Sequence, residues 1–301
     1  MVVKSNLQVS SNSQYHRLAE LLSKSGKLKF LEAHSALSAL IVDTTKFEND
    51  GFWDSFDGIW ASSLTDATIK GQPDNESIQI SSRLNTLREI LGVSKKPILF
   101  DGDSGGSRKN FVKLVKNLTK LGIAGVVIED KEGLKQNSLL AYSTQKQTSI
   151  PKFTEKIKAG KKASIHNNFM IIGRIESLIT GLGISDALER AKAYVDAGAD
   201  GIMIHSRSSE PDEIYEFCEG FRSTDKKSIL IVVPSTFDSA TNEDLWSQGV
   251  NVIIYANQLL RSAYPAMVES ARLILKHGRA MEIRNRMMTI KEVLEVIPDN
   301  N

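Results

Sequence analysis

The sequence predicts an α/β fold in which eight parallel strands close into a (β/α)8 barrel, the TIM barrel. Eight short apolar segments alternate with segments of helical periodicity along the 301 residues, and such alternation is typical of βαβ units. The apolar segments are continuous, as expected for strands that are buried on both faces. No hairpin signal joins them. The rival is a doubly wound open sheet, which is the weaker choice because no glycine-rich fingerprint follows the first strand.

The predicted strands are short apolar runs that are followed by helices. The chain exceeds the roughly 250 residues that such a barrel commonly needs. We expect strands at residues 30–34, 56–63, 98–100, 125–130, 169–176, 201–206, 229–234 and 250–257. Helical spacing of apolar residues predicts helices at residues 15–22, 38–42, 78–91, 111–121, 151–162, 187–197, 212–221, 242–248, 259–276 and 290–297.

The remaining segments are polar and define the domain limits. Residues 1–17 are predicted to be a flexible N-terminal tail, and residues 18–301 a single barrel domain. Residues 65–75 are expected to form a polar loop. Residues 131–147 show no period, and since loops of this length are usually functional or mobile, we expect a mobile lid there. The insertion at residues 49–55 interrupts the pattern and has no assigned role.

Composition excludes several classes of function. The chain has 38 basic and 36 acidic residues and a formal net charge of +2, so it lacks the electrostatic footprint of a nucleic-acid-binding protein. The single cysteine, Cys218, rules out a disulfide framework and a cysteine-rich metal site. We see no signal peptide, and no apolar run approaches the roughly 18 residues that cross a bilayer. We therefore expect a soluble, cytoplasmic protein without nucleic-acid or membrane partners.

Carboxylates follow two neighbouring strands of the predicted barrel. Asp101 and Asp103 are two positions apart at the end of the third strand, so both side chains point the same way. Glu129 lies at the end of the fourth strand. Carboxylates held together are costly unless a positive charge lies between them. Mg²⁺ is the expected ion because it prefers oxygen ligands. The alternative is an ordinary surface turn rich in Asp and Gly.

Other polar side chains come to the same end of the barrel, which is the catalytic face of such folds. Arg174 ends an apolar strand and needs a fixed anion, which Glu176 or Glu129 would provide as a structural ion pair. His205 follows the next strand and is neutral or cationic near physiological pH. With a metal, these groups suit an anionic substrate such as a 2-keto acid carrying phosphorus. The 62–64 turn either donates backbone N–H groups to an oxyanion or is an ordinary polar loop.

Ordered motifs over about residues 30–298 are similar to those of one enzyme superfamily. They lie at residues 32–39, 58–64, 101–106, 129–131, 135–139, 174–177 and 204–207. On these motifs the chain resembles the phosphoenolpyruvate phosphomutases of the isocitrate lyase and phosphoenolpyruvate mutase superfamily. The resemblance implies the barrel, Mg²⁺ as cofactor, and the reversible conversion of phosphoenolpyruvate to phosphonopyruvate, which forms the carbon–phosphorus bond of phosphonates. It also implies a homotetramer, a dimer of dimers, in which the terminal helix packs on a neighbouring subunit.

The resemblance further implies a role for each site residue. Asp101 matches the direct metal ligand, and Asp103 and Glu129 match acids that reach the ion largely through water. Asp74 matches an aspartate that acts as nucleophile or as a stabilising neighbour of the migrating group, and Lys135 belongs to the mobile lid. The turn that holds the pyruvyl carboxylate matches Ser62, Ser63 and Leu64, and the groups around the phosphoryl unit match Arg174, His205, Asn137 and Ser138.

Two related activities and one other class of protein are the rival interpretations. A phosphonopyruvate hydrolase would cleave the carbon–phosphorus bond with water, but Asn137 in the lid resembles the mutases. A lyase such as isocitrate or methylisocitrate lyase has a catalytic cysteine in the lid, and residues 131–147 contain none. A catalytically silent barrel that serves assembly is opposed by the intact acids, Arg174 and His205. The turn at residues 101–106 differs from that of several members in its glycines but keeps both acids.

Overall fold

The computed structural model describes residues 14–133, 135, 137–138 and 145–297. The strands are β1 (Leu28–Glu32), β2 (Lys46–Asn49), β3 (Phe52–Ser55), β4 (Gly58–Ala61), β5 (Ile98–Asp101), β6 (Gly125–Glu129), β7 (Lys131–Glu132), β8 (Lys146–Gln147), β9 (Met170–Ile175), β10 (Gly201–Ile204), β11 (Ile229–Val232) and β12 (Val252–Tyr255). The helices are α1 (Gln14–Lys24), α2 (Ala36–Thr44), α3 (Ser63–Ile69), α4 (Ile80–Val93), α5 (Arg108–Leu121), α6 (Ile150–Ala163), α7 (Ser177–Thr180), α8 (Gly183–Asp196), α9 (Asp212–Thr224), α10 (Asn242–Ser247), α11 (Gln258–His277) and α12 (Ile290–Glu295). A 3-10 helix spans Met281–Arg286.

Eight of these strands form a closed barrel in which every neighbouring pair is parallel. The order around the barrel is β1-β12-β11-β10-β9-β6-β5-β4. Parallel neighbours require crossover connections, and the helices between the strands provide them. The predicted (β/α)8 fold is therefore confirmed.

Inward-facing apolar side chains of successive strands fill the barrel. One buried cluster contains Phe30, Trp60, Leu99, Val127, Ile172, Met203, Ile231 and Ile254. Leu18 of α1 belongs to the same cluster, so this helix contributes to the barrel core. Gly58 leaves space for Phe30, because a Cβ at position 58 would lie 2.2 Å from the Phe30 ring. The interior is thus packed, and polar groups are left to the ends of the strands.

A hairpin precedes the second barrel strand. β2 and β3 pair antiparallel within the connection between the first two barrel strands, and the unassigned insertion 49–55 belongs to this hairpin, whereas the eight barrel strands themselves are joined by no hairpin, as expected. The turn contains Asp50 at φ 48° and Gly51 at φ 82°, the left-handed conformations that tight hairpin turns use. Phe52 and Trp53 are exposed. Without a buried face, the hairpin has no alternating apolar pattern by which it could be recognised.

Regular structure also occurs in segments predicted to be loop or tail. α3 overlaps the predicted polar loop 65–75. In the predicted lid, β7 pairs antiparallel with β8, and much of the segment between them lies outside the described residues. The predicted tail overlaps α1, since the helix begins at Gln14 and Tyr15 is buried. Residues 1–13 lie outside the described residues.

Contacts within the chain define two compact units, residues 1–257 and 258–301, where the sequence predicted one domain. The first unit holds the barrel, and the second holds α11, the 3-10 helix and α12. Several large apolar side chains of the second unit are exposed, among them Leu275 at 84% and Ile290 at 78%. Within the described ranges, we find no helix with the length and apolar character that a membrane span requires.

Candidate active site

One cavity, with about 600 Å³ of empty space, is lined by residues that follow the C-terminal ends of the barrel strands. Every site residue expected from the sequence lines this cavity: Ser62, Ser63, Leu64, Asp74, Asp101, Asp103, Glu129, Lys135, Asn137, Ser138, Arg174 and His205. These residues are far apart in the chain, and closure of the barrel brings them together. Their individual roles stay predictions.

The turn after β4 supports the first of the predicted metal-binding acids. Ser62 caps α3, because its side-chain oxygen accepts a hydrogen bond from the backbone N–H of Thr65. The backbone N–H and the hydroxyl of Ser63 both donate to Asp101 Oδ2, over 3.1 and 2.8 Å. The 62–64 turn is therefore more than an ordinary polar loop. The Ser63 N–H, which we expected to serve substrate, is directed at the Asp101 carboxylate in this structure.

The backbone of Asp103 joins the three acids. Its N–H donates to Asp101 Oδ1 over 3.2 Å, and its carbonyl oxygen accepts from the N–H of Glu129 over 2.8 Å. Asp103 has φ 50°, in the left-handed region that residues other than glycine rarely adopt. The preceding Gly102 has no room for a side chain, because a Cβ there would lie 2.9 Å from the carbonyl oxygen of Val127. The main chain itself therefore fixes the acids relative to one another.

The three carboxyls differ in pKa because their surroundings differ. Burial alone would raise the pKa of Asp101, but the positive charges of Lys135 and Arg83 outweigh it and lower this pKa. Burial and the negative charge of Asp101 raise the pKa of Asp103. Burial raises the pKa of Glu129 to about 7, against the opposing charges of three basic side chains, Arg174, Lys131 and Lys135. One acid is thus held ionised while the other two resist ionisation, as expected for carboxylates placed close together.

This set of donors suits a divalent cation with oxygen ligands. Oε1 of Glu129 is buried and has no hydrogen-bond partner among the described residues, so one acceptor atom at the site is unused. In the same part of the chain, no three His, Cys, Asp or Glu side chains are already grouped as a metal site. Mg²⁺ does not need such a group, because it usually keeps several waters and binds through one or two carboxylates. The residues present therefore fit the predicted ion.

The ammonium of Lys135 lies among the acids of the cavity. It contacts the carboxylates of Asp74 and Asp103 and donates to Ser63 Oγ over 2.7 Å. Burial would lower the pKa of Lys135, but the nearby negative charges raise it, so the side chain stays positive. Asn137 Nδ2 donates to the other carboxylate oxygen of Asp74 over 3.4 Å. Two residues of the predicted lid thus hold the predicted nucleophile.

Arg174 is the centre of a second charged group. The register of β6 and β9 sets Glu129 opposite Arg174, and Arg174 Nη2 lies 3.4 Å from Glu129 Oε2. Its Nε lies 2.5 Å from Glu176 Oε1, and its Nη2 donates to the Ser138 hydroxyl over 2.8 Å. Arg174 thus contacts both acids that the ion-pair alternative named, and its role toward an anionic substrate stays a prediction. The Ser138 hydroxyl also donates to Glu176 Oε2 over 2.8 Å, which ties the lid to the rim.

His205 is neutral in this arrangement. Its Nδ1 lies 2.8 Å from Arg174 Nη2 and 3.3 Å from Glu176 Oε1. Arginine can only donate, so the contact with Arg174 requires an Nδ1 without a proton, whereas a hydrogen bond to the Glu176 carboxylate would require a proton there. Because the contact with Arg174 is the shorter one, we assign Nδ1 as its acceptor. Burial and the charge of Arg174 lower the pKa of His205, which agrees with that assignment. The ring proton is therefore on Nε2, and this atom is a hydrogen-bond donor.

Two basic residues of the site were not identified from the sequence. Lys131 lines the cavity, and its Nζ lies 3.3 Å from Glu129 Oε2 and 3.4 Å from Glu176 Oε2. Its position directly after two acids at a strand end was the available signal. Arg83 of α4 donates to Asp103 Oδ2 over 3.0 Å. It lies on the helix face that carries the apolar residues, and a charge on such a face indicates a buried partner.

Known proteins share both the sequence pattern and the fold of this chain. A family described as phosphoenolpyruvate phosphomutase matches residues 18–275. The phosphoenolpyruvate phosphomutase of Tetrahymena pyriformis is 34% identical over 288 residues, which cover 95% of this chain and 92% of that protein. The crystal structure of the phosphoenolpyruvate phosphomutase from Streptomyces platensis subsp. rosaceus has a TM-score of 0.85 at 31% identity and 94% coverage of each chain. A phosphonopyruvate hydrolase in complex with oxalate and Mg²⁺ has a TM-score of 0.81, also at 31% identity and 94% coverage of each chain. The chain therefore belongs to the phosphoenolpyruvate phosphomutase family of enzymes.

Proposed function

We propose that the protein is a phosphoenolpyruvate phosphomutase, an isomerase that interconverts phosphoenolpyruvate and 3-phosphonopyruvate with Mg²⁺. The forward reaction breaks the bond between the enol oxygen and phosphorus and forms a bond between carbon 3 and the same phosphorus. The observation that carries the proposal is the placement of Asp74 and Asn137 in one cavity with Arg174 and His205. An acid that can meet the phosphoryl group thus shares the cavity with the cationic and donor groups that can hold it.

The donors around Arg174 suit the phosphoryl end of the substrate. The guanidinium carries a fixed positive charge, and charge-assisted hydrogen bonds to phosphoryl oxygens are stronger than neutral ones. His205 adds the Nε2–H donor, whereas the Ser138 hydroxyl, which donates to Glu176 in this structure, would have to turn to donate to the substrate. Glu176 holds Arg174 and Ser138 directly, and Arg174 in turn donates to His205 Nδ1 and orients its ring. Preorganised donors need no rearrangement at the moment of reaction, and this is the usual source of electrostatic catalysis.

The other end of the cavity suits the pyruvyl group. The 62–64 turn would donate to its carboxylate when substrate replaces the hydrogen bond between the Ser63 N–H and Asp101. Asp101, with Asp103 and Glu129 acting through water, would hold Mg²⁺, which supplies positive charge to the oxygens of the pyruvyl group. The pyruvyl unit would then be held while the phosphoryl group is exchanged between oxygen and carbon.

Asp74 acts on the phosphoryl group in one of two ways. It is either the nucleophile that takes the phosphoryl group from the enol oxygen and passes it to carbon 3, or a neighbouring group that stabilises the loosely bonded phosphoryl group during its transfer. In both cases Lys135 and Asn137 position its carboxylate. We propose that residues 131–147 act as a mobile lid, because excluding water protects a reactive phosphoryl group from hydrolysis.

Phosphorus-31 NMR tests the proposal directly. The protein is incubated with phosphonopyruvate and Mg²⁺, and we expect the phosphonate signal to be replaced by that of phosphoenolpyruvate without release of inorganic phosphate. A spectrum dominated by inorganic phosphate would overturn the mutase assignment in favour of a phosphonopyruvate hydrolase. An unchanged spectrum, together with cleavage of 2-methylisocitrate, would instead favour a lyase. Heat-inactivated protein is the control for spontaneous decomposition.

We further propose that the enzyme is cytoplasmic and works as a homotetramer, a dimer of dimers with the terminal helix packed on a neighbouring subunit. The exposed apolar side chains of the second unit, such as Leu275, Ile290 and Leu294, support this arrangement, because large exposed apolar patches usually mark an interface. Light scattering coupled to gel filtration measures the mass. A species at the 33.2 kDa of a single chain would contradict the proposal.

A further inference from the structure

We propose that Arg83 is a positioning residue that sets the orientation of the predicted metal-binding acids. The inference rests on the Mg²⁺ site of the proposed function. Arg83 belongs to α4, and its side chain is only 7% exposed. It is absent from the lining of the active-site cavity but contacts Asp103, which does line it. Arg83 therefore acts through that acid and has no direct contact with substrate.

Three contacts hold the guanidinium of Arg83 in one place. Its Nη1 donates to Asp103 Oδ2 over 3.0 Å, and its Nε lies 3.4 Å from Asp66 Oδ2 in an ion pair that is not a hydrogen bond. Cζ, the central carbon of the guanidinium, lies 4.2 Å from the centre of the Phe100 ring. A guanidinium is planar and presents several donors in a rigid fork, so two acids and an aromatic ring define both its position and its tilt. A lysine at this position could not reproduce these contacts.

Through Asp66, Arg83 also reaches the turn that supports Asp101. Asp66 lies in the first turn of α3, and its backbone N–H donates to the carbonyl oxygen of Ser62 over 3.2 Å. The next residue, Ser63, holds Asp101 through two hydrogen bonds. Arg83 thus connects the 62–64 turn with the turn at Asp103. The turn that supports Asp101 and the turn that carries Asp103 therefore contact the same buried cation.

The carboxylate of Asp103 has a second cation on its other side. Lys135 contacts Asp103 Oδ1, while Arg83 holds Oδ2. Without Arg83, only the lid lysine would define the orientation of this carboxylate. Asp103 already has the left-handed φ of 50°, and such strained positions persist only where the surroundings over-determine them. Loss of Arg83 is therefore expected to disorder the metal-binding acids, Asp103 above all, more than the groups around Arg174.

A second opening makes this inference testable by chemical rescue. Arg83 lines about 890 Å³ of empty space together with side chains of α5, including Asn110 and Lys113. Asp103 lines this space as well as the active-site cavity, so it lies between the two. After truncation of Arg83 to alanine, a small alkylguanidinium can reach the vacated place from this side without passing through the active site.

Binding of Mn²⁺, followed by electron paramagnetic resonance, is the readout, because this spin-active ion takes the same ligands as Mg²⁺. In Arg83→Ala we expect the Mn²⁺ dissociation constant to rise about 10- to 100-fold, the usual effect of removing a partner behind a metal ligand. Millimolar ethylguanidinium is expected to restore most of the affinity. The matched control is Arg88→Ala on the same helix, whose exposed side chain donates to Asn85, and we expect wild-type binding. In steady state, the Mg²⁺ requirement should rise while kcat at saturating Mg²⁺ changes little.

The outcomes separate this inference from the proposed function. Wild-type protein that binds no Mn²⁺ would refute the metal site itself, and with it the role of Arg83. If the wild type binds Mn²⁺ and a folded Arg83→Ala protein binds it with the same affinity, the role of Arg83 alone is overturned. A loss that ethylguanidinium does not restore would also overturn it, since that result indicates a packing defect. If the alanine variant does not fold, Arg83→Lys keeps the charge without the fork, and unchanged Mn²⁺ affinity there would equally refute the inference.

Discussion

Replacing Glu176 by glutamine removes one negative charge from the most buried part of the site. The side chain of Glu176 is 0% exposed, and its oxygens contact Arg174, His205 and Ser138. Burial by itself would raise the pKa of Glu176, but the charge of Arg174 holds it well below its usual value. The ionised form therefore stabilises the folded protein, and the neutral amide cannot replace it.

The size of the effect follows from the loss of one partner of a buried ion pair, which costs about 3–5 kcal/mol. Glu129 also lies near Arg174, so we expect the lower end, near 3 kcal/mol. One kcal/mol shifts the Tm by about 2–4 °C in a domain of 150–250 residues, so Glu176→Gln should melt about 6–12 °C below wild type. The proposed mutase activity should fall as well, because Arg174 loses the group that positions it and His205 is in turn oriented by Arg174.

The pH dependence gives the sharper test. A carboxyl whose folded-state pKa is depressed contributes stability above its unfolded pKa, and this contribution is lost as the pH falls through the folded value. The difference in unfolding free energy between wild type and Glu176→Gln should therefore be full at pH 7 and should shrink below the unfolded value of 4.5. Denaturant unfolding followed by circular dichroism measures it. The control is Glu132→Gln, whose exposed ion pair with Lys152 should leave the Tm unchanged. A Glu176→Gln protein as stable as wild type at pH 7, or a difference independent of pH, would refute the reasoning.

Three further predictions concern single residues of the site. Asp74→Ala should abolish turnover in the phosphorus-31 NMR assay with an unchanged circular dichroism spectrum, because the acid that meets the phosphoryl group is lost; near-normal activity would exclude Asp74 from the mechanism. The pKa of Glu129 is raised to about 7, so protonation should weaken Mg²⁺ binding, measured by calorimetry, as the pH falls below this value. Glu129→Gln should remove most of this pH dependence of Mg²⁺ binding. If the affinity of this variant still falls with pH as in the wild type, the dependence belongs to another group. Gly102→Ala should lower the unfolding free energy by about 1–3 kcal/mol through overpacking, since the new Cβ would lie 2.9 Å from the Val127 carbonyl oxygen; wild-type stability in denaturant would contradict this.

The barrel could be predicted because its strands are buried on both faces. Segments such as β6 and β12 are continuous apolar runs, and the helices between them have a clear apolar period, as in α5. The hairpin β2–β3 could not be predicted in this way, because its aromatic side chains are exposed. The Asp50-Gly51 pair was a usable turn signal. α3 spans seven residues, which is too short to show a helical period.

Part of the site could be predicted from position, because several of its residues end strands or follow them, whereas Asp74, Lys135, Asn137 and Ser138 were expected only from the family resemblance. Asp101, Glu129 and Arg174 come to the same end of the barrel whatever the details of packing. Their partners could not be predicted, since these depend on how distant segments meet in space. The use of the Ser63 N–H by Asp101 is one such detail. The approach of Arg83 to the site from outside the barrel is another.

The pairing of β6 with β9 sets Glu129 beside Arg174. Side chains alternate between the two faces of a strand, so a slip of one residue would send Arg174 through the wall to the helix side. In a closed sheet, strand number, tilt and stagger are linked, and one strand cannot slide without its neighbours. The ion pair between Glu129 and Arg174 at the barrel mouth is therefore set by the stagger of the strands and does not depend on the loops around the mouth.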